Sequence, residues 1–154
     1  MPVNGSPSGS ANYSGESIMR IDLVDASEGA SGTIQKFGDA NMFIDFGTGC
    51  GTFTVTSNDG NSALSINFNA YSDQSLAGSG TFSTSDDIYT GYYDNVSLGC
   101  GISPYDCGFN IPITRTYDAI DESSGFIGSL TGTDGTGVMG VSMGNNYIIG
   151  VSLE

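Results

Sequence analysis

Apolar residues occupy every second position in many short segments of this chain. The clearest examples are the segments 19–23, 42–46, 53–55 and 64–68. A period of two residues predicts strands with one face in a core and the other in water. Clusters such as SNDGN at 57–61 separate these segments and are typical of hairpin turns. No window shows the 3.6-residue apolar stripe of an amphipathic helix.

The alternating segments number about nine and recur at intervals of about ten residues, which is typical of all-β proteins. We therefore predict an antiparallel up-and-down β-barrel of about eight to nine strands, with little or no helix. Glycines within strands suit the corners and bulges of a barrel, and they occur here at Gly78, Gly80, Gly128, Gly140 and Gly150. The last alternating segment ends almost at the C-terminus, and we expect it to pair with the first.

A chain of 154 residues is most often a single domain. We interpret residues 1–12 as a flexible linker rich in Gly, Ser and Pro, and residues 13–154 as one barrel domain. No stretch of 18 apolar residues is present, so we expect no transmembrane helix. The terminal Leu153-Glu154 resembles a cloning remnant, and we expect that a signal sequence was left out of this chain. These features favour an extracellular or outer-membrane-surface location.

The net charge of the chain excludes more functional classes than any sequence motif does. The chain carries 17 acidic residues against Arg20, Lys36 and Arg115, for a net charge of −14. Such a balance argues against nucleic acid and anionic lipid as partners. The absence of histidine excludes imidazole catalysis and imidazole metal ligation. Carboxylate pairs for glycoside hydrolysis occur by chance in any chain this acidic, so we expect no enzyme. We also expect each of the three cations to pair with a carboxylate.

Three cysteines are present, at positions 50, 100 and 107. Cys100 and Cys107 enclose a turn-rich segment, and we favour a disulfide between them with Cys50 as a free thiol. The alternative is three reduced thiols.

The densest cluster of polar and aromatic residues is predicted to contact a ligand or partner, because tyrosine supplies rigid amphipathic contact area. Its members, together with one tyrosine from the irregular stretch 94–110, are Asp86, Asp87, Tyr89, Tyr92, Tyr93, Asp94 and Tyr105. On a strand, Tyr89 and Tyr93 share one face and Tyr92 takes the other. The alternative is that one face joins the core and the other is ordinary surface.

A second acidic segment, TYDAIDESSG, supplies Asp118, Asp121 and Glu122. Hard cations prefer several oxygen ligands, so calcium is a possible cofactor that these residues would bind together with Asp86 and Asp87, although EF-hand spacing is absent. The alternative is that these loops are simply solvated, with no cofactor at all.

Several segments resemble the β-barrel domain of transferrin-binding-protein-B-like surface lipoproteins of Gram-negative bacteria. The matching segments are ANYSG at 11–15, GDANMFIDFG at 38–47, CGTF at 50–53, LAGSGTF at 76–82, and the glycine-rich pair at 126–135 and 137–142. Gly132-Thr133 stands where the family usually has Gly-Pro. The resemblance implies a barrel fold and a surface location. Family members bind host proteins or haem carriers, but no partner-contacting residue of theirs maps onto this chain.

Together these observations favour a secreted or surface-exposed binding module that recognises a protein or small ligand through loops at one barrel end. Such a module is expected to be a monomer. The alternative is a structural subunit of a pilus, capsid or matrix that self-assembles through residues 1–16.

Overall fold

The computed structural model describes residues 9–25, 30–85, 87–97, 108–133 and 135–154, with only the backbone described at 24–25, 30–31, 87–97 and 108–117. Ten strands lie in these ranges: β1 (Ser10–Asp25), β2 (Ala30–Asp45), β3 (Cys50–Ser57), β4 (Ser62–Ala70), β5 (Ser75–Thr84), β6 (Asp87–Ser97), β7 (Gly108–Tyr117), β8 (Ile120–Thr131), β9 (Gly137–Met143) and β10 (Tyr147–Leu153). These ranges contain no helix, and thus no helix there could span a membrane.

Eight strands form a closed antiparallel barrel in the order β1-β10-β9-β8-β5-β4-β3-β2. The first and last strands close it, with a register that runs from Ser17 opposite Val151 to Ile21 opposite Tyr147. The predicted barrel, its strand number and the pairing of its terminal strands are therefore confirmed. Closure leaves none of these eight strands with an unpaired edge.

The inward positions of the eight strands form one apolar core. Residues alternate strictly between buried and exposed along β3 and β4, as the sequence pattern predicts. Phe126 lies at the centre of an aromatic group, with its ring centroid 5.1 Å from that of Phe53 and 5.7 Å from that of Phe68. Truncating such a side chain typically costs about 3–5 kcal/mol, because it leaves a cavity.

Glycines in the strands differ in what they provide. At Gly78 and Gly80 of β5, an added Cβ would overlap the carbonyl oxygens of Asn67 and Ser65 on the neighbouring strand β4. These two positions therefore require glycine for the close approach of two backbones. Gly150 of β10 is different, because an added Cβ there would meet no atom within 4 Å. The predicted role at a corner or bulge thus does not explain Gly150.

Strands β6 and β7 were expected in the barrel wall but form a separate two-stranded sheet. Their register shifts between Tyr93 and Val96, which marks a bulge. The predicted irregular stretch 94–110 is wrong at both ends, because β6 continues to Ser97 and β7 begins at Gly108. At the N-terminus, β1 begins at Ser10, so residues 10–12 of the predicted linker pair with β2. Residues 1–8 lie outside the described ranges.

Candidate binding end of the barrel

At one end of the barrel, a segment that is not part of the wall is inserted between two paired strands. Here β5 ends at Thr84 and β8 begins at Ile120, and these two residues are directly paired. The β6–β7 hairpin is inserted between them. We call this the insertion end; it also holds the β1–β2, β3–β4 and β9–β10 connections. Cα atoms of β7 come within 8 Å of β1, which is four strands away from β5 in the ring. Strand β7 therefore extends from the side of β5 and β8 to β1.

A well-ordered turn and an ion pair form one side of this end. The predicted SNDGN turn joins β3 to β4, and Gly60 adopts a positive φ of 77° that favours glycine. The Asp59 carboxylate accepts hydrogen bonds from the Ser57 hydroxyl at 2.5 Å and the Asn61 amide at 3.0 Å. It also forms a salt bridge of 2.7 Å with Lys36 of β2. The turn is thereby tied to a neighbouring strand.

The environment of Asp59 keeps it ionised. Partial burial would raise the pKa of its carboxyl group, but hydrogen bonds from Lys36, Ser57 and Asn61, with the charge of Lys36, outweigh burial and lower the pKa to about 2. Such a carboxylate is a weak proton acceptor near neutral pH. It serves better as a fixed negative charge than as a general base. The expected pairing of a cation with a carboxylate is confirmed for Lys36 and is wrong for Arg20, which forms no salt bridge with the described residues. The side chain of Arg115 lies outside the described part of the structure.

A layer of buried hydroxyl groups lies inside the barrel towards the same end. The Tyr147 ring stacks on Phe82 at a centroid distance of 4.1 Å, and its hydroxyl lies 2.8 Å from that of Ser142. Burial raises the pKa of Tyr147, although the nearby hydroxyls of Ser124 and Ser142 lower it. The Ser124 hydroxyl is buried close enough to Tyr147 to lower its pKa, but among the described residues it makes no hydrogen bond of normal geometry. This layer offers polar contacts beneath the insertion end.

The three calcium candidates do not converge. Glu122 is half-buried, and its two oxygens accept hydrogen bonds from the Asn146 amide at 3.0 Å and the Asn146 side chain at 2.9 Å. Asp118 and Asp121 are exposed, and Asp121 and Glu122 lie on opposite faces of β8. Within the described residues, no group of three or more His, Cys, Asp or Glu residues could hold a metal ion. Calcium binding stays a prediction.

The predicted contact residues all belong to the insertion. Asp87, Tyr89, Tyr92, Tyr93 and Asp94 lie on β6, where the register places Tyr89 opposite Arg115 and Asp87 opposite Tyr117. Asp86 and Tyr105 lie outside the described residues. The sequence therefore located a segment that the fold sets apart from the barrel wall.

Of the cysteines, Cys50 is exposed and free. Cys100 and Cys107 lie outside the described residues, so their disulfide stays a prediction.

Sequence reasoning missed three features of the described residues: the Lys36–Asp59 pair, the Tyr147 hydroxyl layer, and a set of exposed apolar side chains on the outer wall. Spacing alone identifies neither of the first two, because Lys36 and Asp59 lie 23 residues apart and Tyr147 stacks on Phe82, a residue that is distant in sequence. The exposed apolar side chains could have been found from the sequence. In the segments 138–141 and 147–151, apolar residues occupy the outward as well as the inward positions of the strand.

Chemically, the described part of the insertion end offers hydroxyl groups, an amide, a carboxylate and a paired ammonium. These groups can hydrogen-bond a polar ligand or a protein loop. No protein-family model, curated protein or solved structure matches this chain, and the resemblance to transferrin-binding-protein-B-like barrels therefore stays a prediction.

Proposed function

We propose that this chain is a non-enzymatic binding module, secreted or displayed at a cell surface, that recognises a protein or small ligand through the insertion end. The observation that carries the proposal is the position of the β6–β7 hairpin. Strands β5 and β8 pair continuously from Ser75 opposite Ser129 to Thr84 opposite Ile120. The barrel thus closes without the hairpin, which leaves the hairpin available for a role other than closure.

The composition of the hairpin supports recognition. Tyrosine is common in binding surfaces because it combines a rigid ring with a hydroxyl group. The β6 strand carries Tyr89, Tyr92 and Tyr93 together with Asp87 and Asp94. Arg115, one of three cations in a chain of net charge −14, lies on β7. A rigid barrel that presents such a segment matches the usual division between scaffold and binding loop.

The test compares the whole chain with a variant in which residues 85–119 are replaced by an Asn-Gly turn between Thr84 and Ile120. Far-UV circular dichroism and thermal unfolding should show that the barrel still folds. Both proteins are then screened on an array of purified extracellular proteins and glycans. Binding that survives removal of the hairpin contradicts the proposal.

A finer comparison keeps the hairpin and removes its tyrosines. The variant Tyr89→Ala/Tyr92→Ala/Tyr93→Ala should lose array signals that Tyr71→Ala retains. Tyr71 is a matched control, because it is exposed and lies at the opposite barrel end. Equal loss in both variants would argue against a specific role for the hairpin.

A second candidate function is self-assembly as a structural subunit. Large apolar side chains exposed on the outer wall favour it, because such patches mark interaction surfaces. Concentration-dependent growth into large particles, lost on deletion of residues 1–8, which precede β1 and leave the barrel wall intact, would place this function first.

A further inference from the structure

The outer wall of the barrel carries a continuous apolar band. Outward-facing residues on four adjacent strands form it, and Val141 and Gly150 are half-buried while the others are exposed: Ile127 of β8, Met139, Val141 and Met143 of β9, Ile148 and Gly150 of β10, and Ile18 of β1. The register places Ile127 opposite Val141, Val141 opposite Gly150, and Gly150 opposite Ile18. These four residues therefore form one row that crosses the strands. We call the seven residues the outer band.

The outer band is as large as the largest apolar patches of monomeric proteins, which are often functional. Its five large side chains with measured exposure are between 42% and 66% exposed. They present roughly 500 Å² of apolar surface, which is the size of the largest and often functional patches on monomers. With a polar rim, this area approaches the roughly 800 Å² per partner of a standard interface. No carboxylate lies in the band, although the chain has 17 acidic residues.

Two glycines make the wall suitable for close approach. Gly150 has no atom within 4 Å of an added Cβ, and Gly125 on β8 has only the Met143 carbonyl oxygen at 4.0 Å. Neither has a positive φ. Nothing within the described chain therefore requires glycine there. Beside Ile127 the surface forms two open depressions, of about 380 Å³ next to Gly125 and about 540 Å³ next to Gly150.

The apolar row continues past Ile18 to Phe37 of β2, which lies opposite Ile18 and is 50% exposed, and two charged residues of β1 flank this row. On the outer face of β1, Glu16 and Arg20 lie two residues to either side of Ile18, and both are exposed. Among the described residues, neither forms a salt bridge. Consider two copies whose outer bands face each other, related by a twofold axis that runs across the strands along the row from Ile127 to Ile18. This axis would place Arg20 of one copy against Glu16 of the other. The same axis places Met139 against Met143 of the second copy.

We propose that the outer band binds a second copy of this chain in a twofold dimer. The twofold arrangement forms two ion pairs around an apolar centre, and an isologous interface needs such self-complementarity. An axis along the strands instead would leave Arg20 facing the β8 side of the wall, where the outer residues are Gly125, Ile127 and Ser129. The dimer does not depend on the proposed function, because the hairpin and the outer band are separate surfaces.

The test is sedimentation equilibrium of the whole chain up to about 1 mM, combined with charge reversal. Glu16→Arg and Arg20→Glu should each weaken dimerisation about tenfold, because each places like charges opposite one another. The double reversal should restore it, and a mixture of the two single variants should form the heterodimer. Thr54→Arg is the control, because Thr54 is exposed on β3, opposite β9 in the ring.

The change in net charge separates the proposed ion pairs from general repulsion between copies. Glu16→Arg makes the chain less acidic, so general repulsion between copies falls, whereas the proposed pairing predicts weaker association. Gly150→Ile should also weaken the dimer while the monomer stays folded. A chain that remains monomeric across this range, or single reversals that leave dimerisation unchanged, would overturn the proposal. Larger open-ended assembly would overturn it too, since a twofold contact closes at two copies.

Discussion

Replacing Gly80 by alanine should destabilise the barrel far more than the same change at Gly150. Both glycines lie within barrel strands and neither has a positive φ. At position 80 the new Cβ would overlap the Ser65 carbonyl oxygen and lie 2.9 Å from the Ile66 Cα. At position 150 it would enter open space.

The expected magnitude follows from what can move. Ser65 and Ile66 belong to the β4 backbone, which is hydrogen-bonded to β3 on one side and β5 on the other. The overlap therefore cannot be relieved by a rotamer change, and the cost should reach the upper end of the range for overpacking, about 3 kcal/mol. For a domain of this size, this cost corresponds to a fall in Tm of about 6–12 °C. Gly150→Ala should instead gain about 0.5 kcal/mol, because alanine loses less backbone entropy on folding.

The assay is urea unfolding followed by tyrosine fluorescence and far-UV circular dichroism, since the chain has no tryptophan. Protein concentrations should lie below those at which any association is seen. The difference between the two midpoints, at equal m-values, gives the difference in stability. A loss at position 80 below about 1 kcal/mol, or an equal loss at position 150, would refute the reasoning from backbone approach.

Three further predictions follow. Lys36→Met should reduce the loss of stability that the protein shows in acid. Because the pKa of Asp59 is lowered to about 2 in the folded state, its contribution is present above the unfolded value of 3.8 and is lost as pH falls towards about 2. Urea midpoints measured across that pH range should change less in the variant, and an equal change in both proteins would show that the ion pair is unimportant. Burial raises the pKa of Tyr13 and Tyr147 above 10.0, so the free energy of unfolding should fall as pH rises above that value. Tyr147→Phe should reduce this loss of stability at alkaline pH, while costing about 1 kcal/mol for the hydrogen bond with Ser142. An equal loss at alkaline pH in both proteins would contradict the burial argument. If Cys100 and Cys107 are bridged, intact mass should show two hydrogens fewer and alkylation without reductant should label Cys50 alone, whereas three labelled thiols would exclude the bridge.

The walls of the barrel were predictable because alternation is a local property. The pattern at Leu64, Ile66 and Phe68 specifies which face is buried, whatever strand lies beside it. The closing pair was also predictable, since alternation that reaches almost to the C-terminus leaves the last strand free to meet the first. Fold class and strand number follow from such local facts.

The sequence predicted less well which strands pair with each other. The segments around Tyr89 and Ile113 alternate like the rest, and alternation does not say whether a strand joins the wall or a separate hairpin. The decisive fact is the pairing of β5 with β8 across the whole insertion. That pairing depends on long-range packing, which no single segment encodes.

The sequence singled out the segment that forms the insertion, but it did not predict the contacts at the insertion end. The tyrosine and aspartate cluster marked the inserted segment by composition alone. The contact between Lys36 and Asp59 needed the register of β2 against β3, and the stacking of Tyr147 on Phe82 needed the closed ring. Neighbouring positions on β8 point to opposite faces, so Asp121 and Glu122 do not share a face, and calcium binding stays a prediction.

The closed ring allows the two proposed surfaces to be separated by experiment. The hairpin leaves and returns between residues that are already paired, and the outer band consists of side chains that point away from the core. Removing the hairpin should therefore leave dimerisation intact, and reversing Glu16 or Arg20 should leave ligand binding per subunit intact. If either change abolished both activities while the barrel remained folded, the hairpin and the outer band would have to form one continuous interface. In that case the dimer would be the binding unit, with two insertion ends contributing to one site.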